Sequence, residues 1–339
     1  MDVLSDVLRV VRLSGAVFFT ADFSAPWALE SPIPEMLASA VMPEAECVVL
    51  FHILVEGECE VECHGHPQTR MASGDVIVFP RGDQHTMRSQ GAGQPTPLAT
   101  IFSPGKPDEP PQLSYGGGGR TSRFVCGYLN CDQRFGPLVS ALPTMMVVRS
   151  RDDYSAIEAV DATGSRPTTV PEGSSNWLGT TLKFTVNEAR AARPGNVAML
   201  GRLTELMFVE ILREYMQRLP TNQSGWFAAV NDAQVGKALR LLHANPVRDW
   251  TVDELAREVG LSRSVLAQRF VELVGEAPMR YLANWRMQLA KQMMREGGHN
   301  IQEVATRVGY DSEAAFNRAF KRATGSPPAA WRKGVTLVS

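Results

Sequence analysis

Asn300 to Lys333 reads NIQEVATRVGYDSEAAFNRAFKRATGSPPAAWRK. At helical spacing, Ile301, Val304, Ala305 and Val308 line one side of a short helix, and Gly309 stands where a helix C-cap is needed. Ser312 then offers its hydroxyl as an N-cap, and Ala315, Phe316, Ala319 and Phe320 form the apolar stripe of a second helix. Two short helices around a glycine turn predict a helix-turn-helix. The polar face of the second helix carries Glu313, Asn317, Arg318 and Lys321, side chains that reach base edges or phosphates.

The same grammar occurs earlier in the chain. Thr251 to Pro278, TVDELAREVGLSRSVLAQRFVELVGEAP, repeats the Val-Gly pair, the Leu or Tyr after it and a cap Ser. It also repeats a Phe eight residues after that Ser and a Gly five residues further on. An internal repeat with cap, turn and polar outer face is more than core packing requires.

Gly236 to Lys333 resembles the DNA-binding domain of the AraC/XylS family of bacterial transcription regulators, in which a long helix joins two helix-turn-helix units. The residues that carry the resemblance are Ile301, Ala305, Val308-Gly309-Tyr310, Ser312, Phe316, Arg318, Phe320-Lys321, Gly325, Pro327 and Trp331-Arg332. It implies a joining helix over Pro278 to Glu296 with Tyr281, Leu282, Trp285, Leu289 and Met293 inward. In the first unit Val265, Leu266 and Phe270 are expected in the core, leaving Arg263, Ser264, Gln268 and Arg269 outward; in the second, Ala315, Phe316 and Phe320 leave Glu313, Asn317, Arg318 and Lys321. Arg318 matches a family position that often reads a base. The first unit departs from the family by placing Gln268 where arginine is common, with Arg269 next to it.

Charge divides with the repeat. Residues 1 to 230 hold 18 basic and 25 acidic side chains, whereas residues 231 to 339 hold 16 and 11. The basic part is the repeat part, as phosphate binding requires. No run of eighteen or more apolar residues occurs, and MDVLSDVLRVVRLSG lacks a basic leader region, so a cytoplasmic protein with no membrane partner is expected. The odd cysteine count, Cys47, Cys59, Cys63, Cys126 and Cys131, argues for reduced thiols.

The amino-terminal part reads differently. Residues 2 to 12 suggest an amphipathic helix and Ala16 to Ala21 a strand. Cys47 onward is β-rich: CVVLFHILVEG reads as a buried strand into a turn, and Glu58 to Cys63 alternates, with Cys59, Val61 and Cys63 inward. Gly74 to His85, GDVIVFPRGDQH, resembles the second motif of the cupin superfamily, and Val55 to Glu58 fits the first. This resemblance implies a jelly-roll β-barrel over roughly residues 15 to 150. Ser103 to Arg120 reads as a loop without regular structure, Pro137 to Val148 as helix or strand, and 163 to 175 as a second link. Helices are expected over Asn176 to Ala192 and Asn196 to Arg218. The second has a broad apolar stripe, Leu200, Leu203, Leu206, Met207, Ile211 and Tyr215 widened by Phe208 and Leu212, that suits either a core or a dimer seam.

The expected fold is therefore α+β and multidomain: a cupin-like barrel for sensing and dimerisation over 1–155, a helical connector over 156–226, and an AraC-type DNA-binding domain over 227–339. A metal-dependent cupin uses two histidines and a glutamate in its first motif with a histidine in the second. Here only His85 is in place, so no metal, cofactor or catalytic residue is assigned. His85, Cys126 and Cys131 are the effector or redox candidates, with His64 and His66 nearby and Phe51, Phe79 and Phe102 as lining for a small organic effector. Cys126 and Cys131 differ by five along one strand and share a site only if Cys131 lies past it in a turn. The reading is a sequence-specific transcription regulator, an activator by family habit. Its partners would be double-stranded DNA, RNA polymerase, a small effector or oxidant, and a second copy of itself. The alternative is a cupin metalloenzyme with an accessory DNA-binding domain.

Overall fold

The structure is a computed structural model and describes residues 2–10, 14–34, 36, 47–102, 112–131, 139, 141–150, 155–161, 164–167, 177–191, 193–217 and 225–336. They fall into two compact units, Arg12–Leu219 and the pair of segments Met1–Val11 and Pro220–Ser339. The amino-terminal helix α1 (Val3–Val10) therefore belongs with the helical unit, where sequence reading placed it in the sheet domain.

The first unit is built on two sheets. The larger has eight strands in the order β13-β12-β11-β6-β3-β10-β1-β9 and the smaller five in the order β5-β4-β7-β2-β8. In chain order they are β1 (Ser14–Ser24), β2 (Ala28–Glu30), β3 (Cys47–Glu56), β4 (Glu58–Cys63), β5 (Thr69–Ala72), β6 (Val76–Phe79), β7 (His85–Arg88), β8 (Thr96–Pro97), β9 (Gln112–Gly116), β10 (Thr121–Cys131), β11 (Met145–Ser150), β12 (Ser155–Asp161) and β13 (Gly164–Pro167). One core lies between them, with Phe23, Leu50, Leu54, Ile77 and Phe124 from the larger sheet meeting Cys59, Val61, Cys63 and Met87 from the smaller. Each such side chain contributes roughly 1.5–3 kcal/mol on full burial. No closed barrel forms among the described residues. The sheets are joined by turns and not by strand pairing, which is the double-sheet form of a jelly roll.

The turn from β3 to β4 shows why glycine is needed there. Gly57 has φ +86°, and a Cβ would lie 2.5 Å from the Thr121 carbonyl oxygen. β4 alternates as its sequence requires, with Cys59, Val61 and Cys63 buried. β3 and β6 have no polar face because both sides of the larger sheet are covered. Their other face, with Val49, Phe51, Val76 and Val78, packs under Met207, Phe208 and Ile211 of helix α3 (Asn196–Gln217), which pairs with α2 (Trp177–Ala191).

This settles the α3 stripe as core against the sheet. Its details differ from expectation: Leu206 is 54% exposed, while Thr204 turns inward and donates to the carbonyls of Leu200 and Gly201 at 3.0 and 2.9 Å. A threonine that satisfies its hydroxyl within the helix is tolerated where leucine was expected. Two further corrections are strands where a loop and a helical connector with its link were expected. β9 lies inside Ser103–Arg120 and pairs in parallel with β1, and β12 with β13 forms a hairpin at 155–167. Residues 103–111, 132–138 and 168–176 lie outside the described residues.

The second unit consists of α1, α4 (Trp226–Asn231), α5 (Ala233–Ala244), α6 (Val252–Val259), α7 (Arg263–Val274), α8 (Pro278–Glu296), α9 (Ile301–Arg307), α10 (Glu313–Thr324) and α11 (Pro328–Thr336). Thr251 with Glu254 and Asn300 with Glu303 form capping boxes, and Ser262 and Ser312 accept from the backbone of Val265 and Ala315. No helix among the described residues is long and apolar enough to cross a membrane.

Candidate nucleic-acid interface and effector cavity

Helices α6 and α7 form the first helix-turn-helix and α9 and α10 the second. Their turns use the same hydrogen bonds: Leu261 donates to Ala256 and Gly260 to Arg257, and Tyr310 donates to Ala305 and Gly309 to Thr306. Leu266, Phe270, Phe316 and Phe320 are buried as the stripes require, with Ala315 half-buried. Along α8, Tyr281, Leu282 and Trp285 are buried as expected; further on, Met287, Ala290 and Met294 are buried, and Leu289 and Met293 only partly so.

The two helix-turn-helix motifs are tied together by Arg286 of α8. Its guanidinium donates to the carbonyls of Pro246 and Arg248, at 2.7 and 2.9 Å, in the loop before α6, and lies 5.8 Å from the centre of the Tyr310 ring. Gly309 packs against the same loop; a Cβ there would meet the Val247 carbonyl oxygen at 2.8 Å.

The outward residues are not equivalent. Arg318, Glu313 and Lys321 are exposed and Asn317 is half-buried, and none has its side chain hydrogen-bonded or ion-paired to another described residue. In the first unit Arg263 lies 3.4 Å from Asp253, Gln268 donates to Glu272 at 2.8 Å, and Arg269 donates to Asp232. Ser264 is exposed. Val265, expected in the core, is 47% exposed. The helix starts at Arg263, so Leu266 takes the inward position of its first turn and Val265 faces out.

Inside the sheet unit a cavity of ≈ 160 Å³ opens between the sheets, lined by Phe19, Phe23, Phe102, Phe124, Tyr128 and Met87 together with Ser31, His52, His85 and Cys126. His52 and Cys126 are direct cross-strand partners on β3 and β10. His85 reaches them from β7: its ring stacks on Phe79 at 3.8 Å and its backbone N–H donates to Ser31 Oγ at 2.9 Å.

The ring hydrogens of the histidine pair can be assigned by elimination. His85 Nδ1 lies 2.8 Å from the Asp83 carbonyl oxygen, which only accepts, so Nδ1 carries the hydrogen. Burial lowers the pKa of His85 to about 4 and that of His52 well below the ordinary value, so both rings are neutral. His85 Nε2 is then an acceptor, and His52 Nε2, 3.0 Å away, donates to it. His52 Nδ1 is left as a bare acceptor, buried and without a partner among the described residues.

Of the other candidates, Cys126 lies in the cavity wall, but burial raises its thiol pKa far above the ordinary value, followed by the effect of Cys59, so thiolate is suppressed. Cys131 is the last residue of β10, in register with Cys47; it does not lie past the strand, so the condition for sharing a site with Cys126 is not met. His64 and His66 sit in the β4–β5 turn and do not line the cavity. Of the three phenylalanines proposed as lining, only Phe102 is one; Phe51 faces α3 and Phe79 lies behind His85. No group of three metal-binding side chains converges among the described residues. His52 was missed although its parity with Leu50 and Leu54 marks it as inward.

The cupin family matches residues 2–164 and 167–217, and a helix-turn-helix domain matches residues 255–334. An AraC-like transcription regulator of Streptomyces lividans is 29% identical over 99% of this chain and 100% of its own length. The HTH-type transcriptional regulator AlkR of Acinetobacter baylyi is 27% identical over 98% of this chain and 99% of its own. This chain belongs to the AraC-type transcription regulators that carry an amino-terminal cupin domain. The duplicated helix-turn-helix is thus the DNA-binding domain of an AraC-type regulator, and the double-sheet unit is its cupin domain.

Proposed function

We propose that this AraC-type regulator is an activator that reads an asymmetric operator with α7 and α10 and is switched by a small molecule in the cupin cavity. The observation that carries the DNA side is Arg318: an exposed arginine, unengaged by described residues, on the outward face of a helix capped by Ser312. Arginine in such a place makes a bidentate pair with guanine. Asn317 and Glu313 flank it, and Lys321 suits a phosphate; Arg263, Ser264 and Gln268 are their counterparts on α7. Arg269 sits in this set as a positioning group, because Asp232 already holds it.

The partners of this reading are double-stranded DNA, RNA polymerase, a small effector and a second copy of the chain at operators with two sites, all in the cytoplasm. It assigns no catalytic step. His85 and Cys126 act as cavity wall, and Cys131, at the end of β10, is the redox candidate whose oxidation is tested alongside.

Footprinting the purified protein on DNA upstream of its own and neighbouring genes is the test. Protection of two successive major grooves, altered by a cavity ligand or by hypochlorite, is expected. A protein that protects no sequence preferentially overturns the reading.

A further inference from the structure

We infer that the two helix-turn-helix motifs contribute unequally to DNA binding. The second, through Arg307, Lys321 and Arg322 around Arg318, supplies most of the attraction to phosphates, and the first reads a thymine-containing half-site through Val265 and Val271. This rests on the reading of the helical unit as the DNA-binding domain.

Counted from the cap serines, Ser262 and Ser312, the two recognition helices match position for position, with Leu266 against Phe316, Phe270 against Phe320 and Gly275 against Gly325. The same count sets Gln268 against Arg318, Val271 against Lys321 and Glu272 against Arg322. In the turns, Gly260 bonds to the carbonyl of Arg257 and Gly309 to that of Thr306; the next residue is Glu258 in one motif and Arg307 in the other. Each basic residue of 300–325 therefore has a neutral or acidic counterpart in the first motif.

The cations that the first motif does carry are engaged within the helical unit. Arg257 donates to the Asp253 carbonyl at 3.4 Å, Arg263 lies 3.4 Å from the Asp253 carboxylate, and Arg269 is held by Asp232. Exposed pairs open easily, but the carboxylate released stays beside its arginine, so little net charge is gained for a phosphate. Arg307, Arg318, Lys321 and Arg322 are exposed, and none has its side chain hydrogen-bonded or ion-paired to another described residue.

What the first motif offers instead is apolar. Among the described residues of the helical unit, the exposed large apolar side chains are Val247, in the loop before α6, and Val265 and Val271 of α7. Ser264, Gln268 and Val271 lie at i, i+4 and i+7, on the side away from buried Leu266, Phe270 and Val274. An apolar side chain in that place meets the C5 methyl of thymine, and glutamine is the residue type that pairs with adenine.

The test uses the full chain and follows binding by fluorescence anisotropy across a range of salt, on unrelated duplex DNA and on an operator found by footprinting. Lys321→Ala and Arg322→Ala are each expected to reduce the slope of log affinity against log salt by about 1 on both duplexes. Val271→Lys combined with Glu272→Arg should raise that slope by about 2 and tighten binding to unrelated DNA. Randomising one half of the operator at a time should cost unequally, and the half that tolerates it should be the one weakened by deoxyuridine in place of thymine. Slopes unmoved by the alanine variants, a charge-adding variant without effect, or equal costs for the two halves overturn the inference. So does sensitivity to deoxyuridine confined to the costlier half. A wild type that protects no sequence preferentially removes the regulator reading and the inference with it, whereas a clear footprint with equivalent halves removes the inference alone.

Discussion

Arg269 of α7 and Asp232 form an ion pair with N and O 2.5 Å apart, and the other Asp232 oxygen caps α5 by accepting from the backbone of Gln234 and Val235. Burial alone would raise the Asp232 pKa, but the hydrogen bonds from Val235 and Arg269 outweigh it and lower it. The recognition helix is thereby fastened to the amino-terminal end of α5. Asp232→Ala is expected to cost about 1 kcal/mol through the lost cap. Arg269→Ala should leave base discrimination nearly unchanged. Thermal unfolding and binding to a set of single-base operator variants check the two; a strong loss of discrimination in Arg269→Ala would return that residue to base reading.

Arg318→Ala makes the opposite prediction. Specific operator affinity should fall by about 1–3 kcal/mol while affinity for unrelated DNA changes little. Competition binding at fixed salt measures both, and equal losses would reduce Arg318 to a phosphate contact.

The helical unit was legible in the sequence because each of its signals is local. Caps at Ser262 and Ser312, glycines at 260 and 309, and stripes ending in Phe270 and Phe320 each fall within one turn of the residue they control. What escaped was set by long-range packing. Nothing near Leu206 or Thr204 says which of them meets the sheet, and β9 finds its pairing partner in β1, far earlier in the chain. The cavity was missed in part for the same reason: His52 and His85 come from two strands and Ser31 from the residue after β2, and only the fold brings their polar atoms into one chain of hydrogen bonds. α1 is the extreme case, since its amphipathic pattern names a buried face and not the unit that covers it.

Val265 stands exposed in the first turn of a recognition helix, where an apolar side chain fits the methyl group of thymine. Replacing a single operator thymine by deoxyuridine should therefore weaken the wild-type protein at one position and leave Val265→Ser indifferent there. A wild type unaffected by every such replacement would make Val265 a bystander.

Gly260 and Gly309 occupy equivalent turns with φ of +75° and +83°, yet only Gly309 is crowded. Alanine at 260 meets open space and carries the left-handed backbone cost alone, roughly 1–2 kcal/mol. At 309 the added carbon also strikes the Val247 backbone. Gly309→Ala should therefore destabilise more than Gly260→Ala in denaturant unfolding, and equal effects would mean that the loop before α6 yields.

His243 of α5 sets the acid limit of the helical unit. Its Nε2 lies 2.8 Å from the Tyr281 hydroxyl, its ring stacks on Trp285 at 4.1 Å, and burial pulls its pKa from 6.5 to about 3. Asp6 of α1, 3.8 Å from Nδ1, favours the charged form but does not offset the burial. Between those two values the unfolded chain binds a proton that the folded one refuses, so stability is complete above pH 6.5 and declines as pH falls toward 3. The decline amounts to roughly 2 kcal/mol between pH 6.5 and pH 5, as an upper figure for one such group. His243→Gln keeps a hydrogen-bonding side chain without the titration. Its unfolding free energy should be lower at neutral pH and flatter across this window than that of the wild type, whereas two parallel pH curves would show that His243 is not the group that titrates.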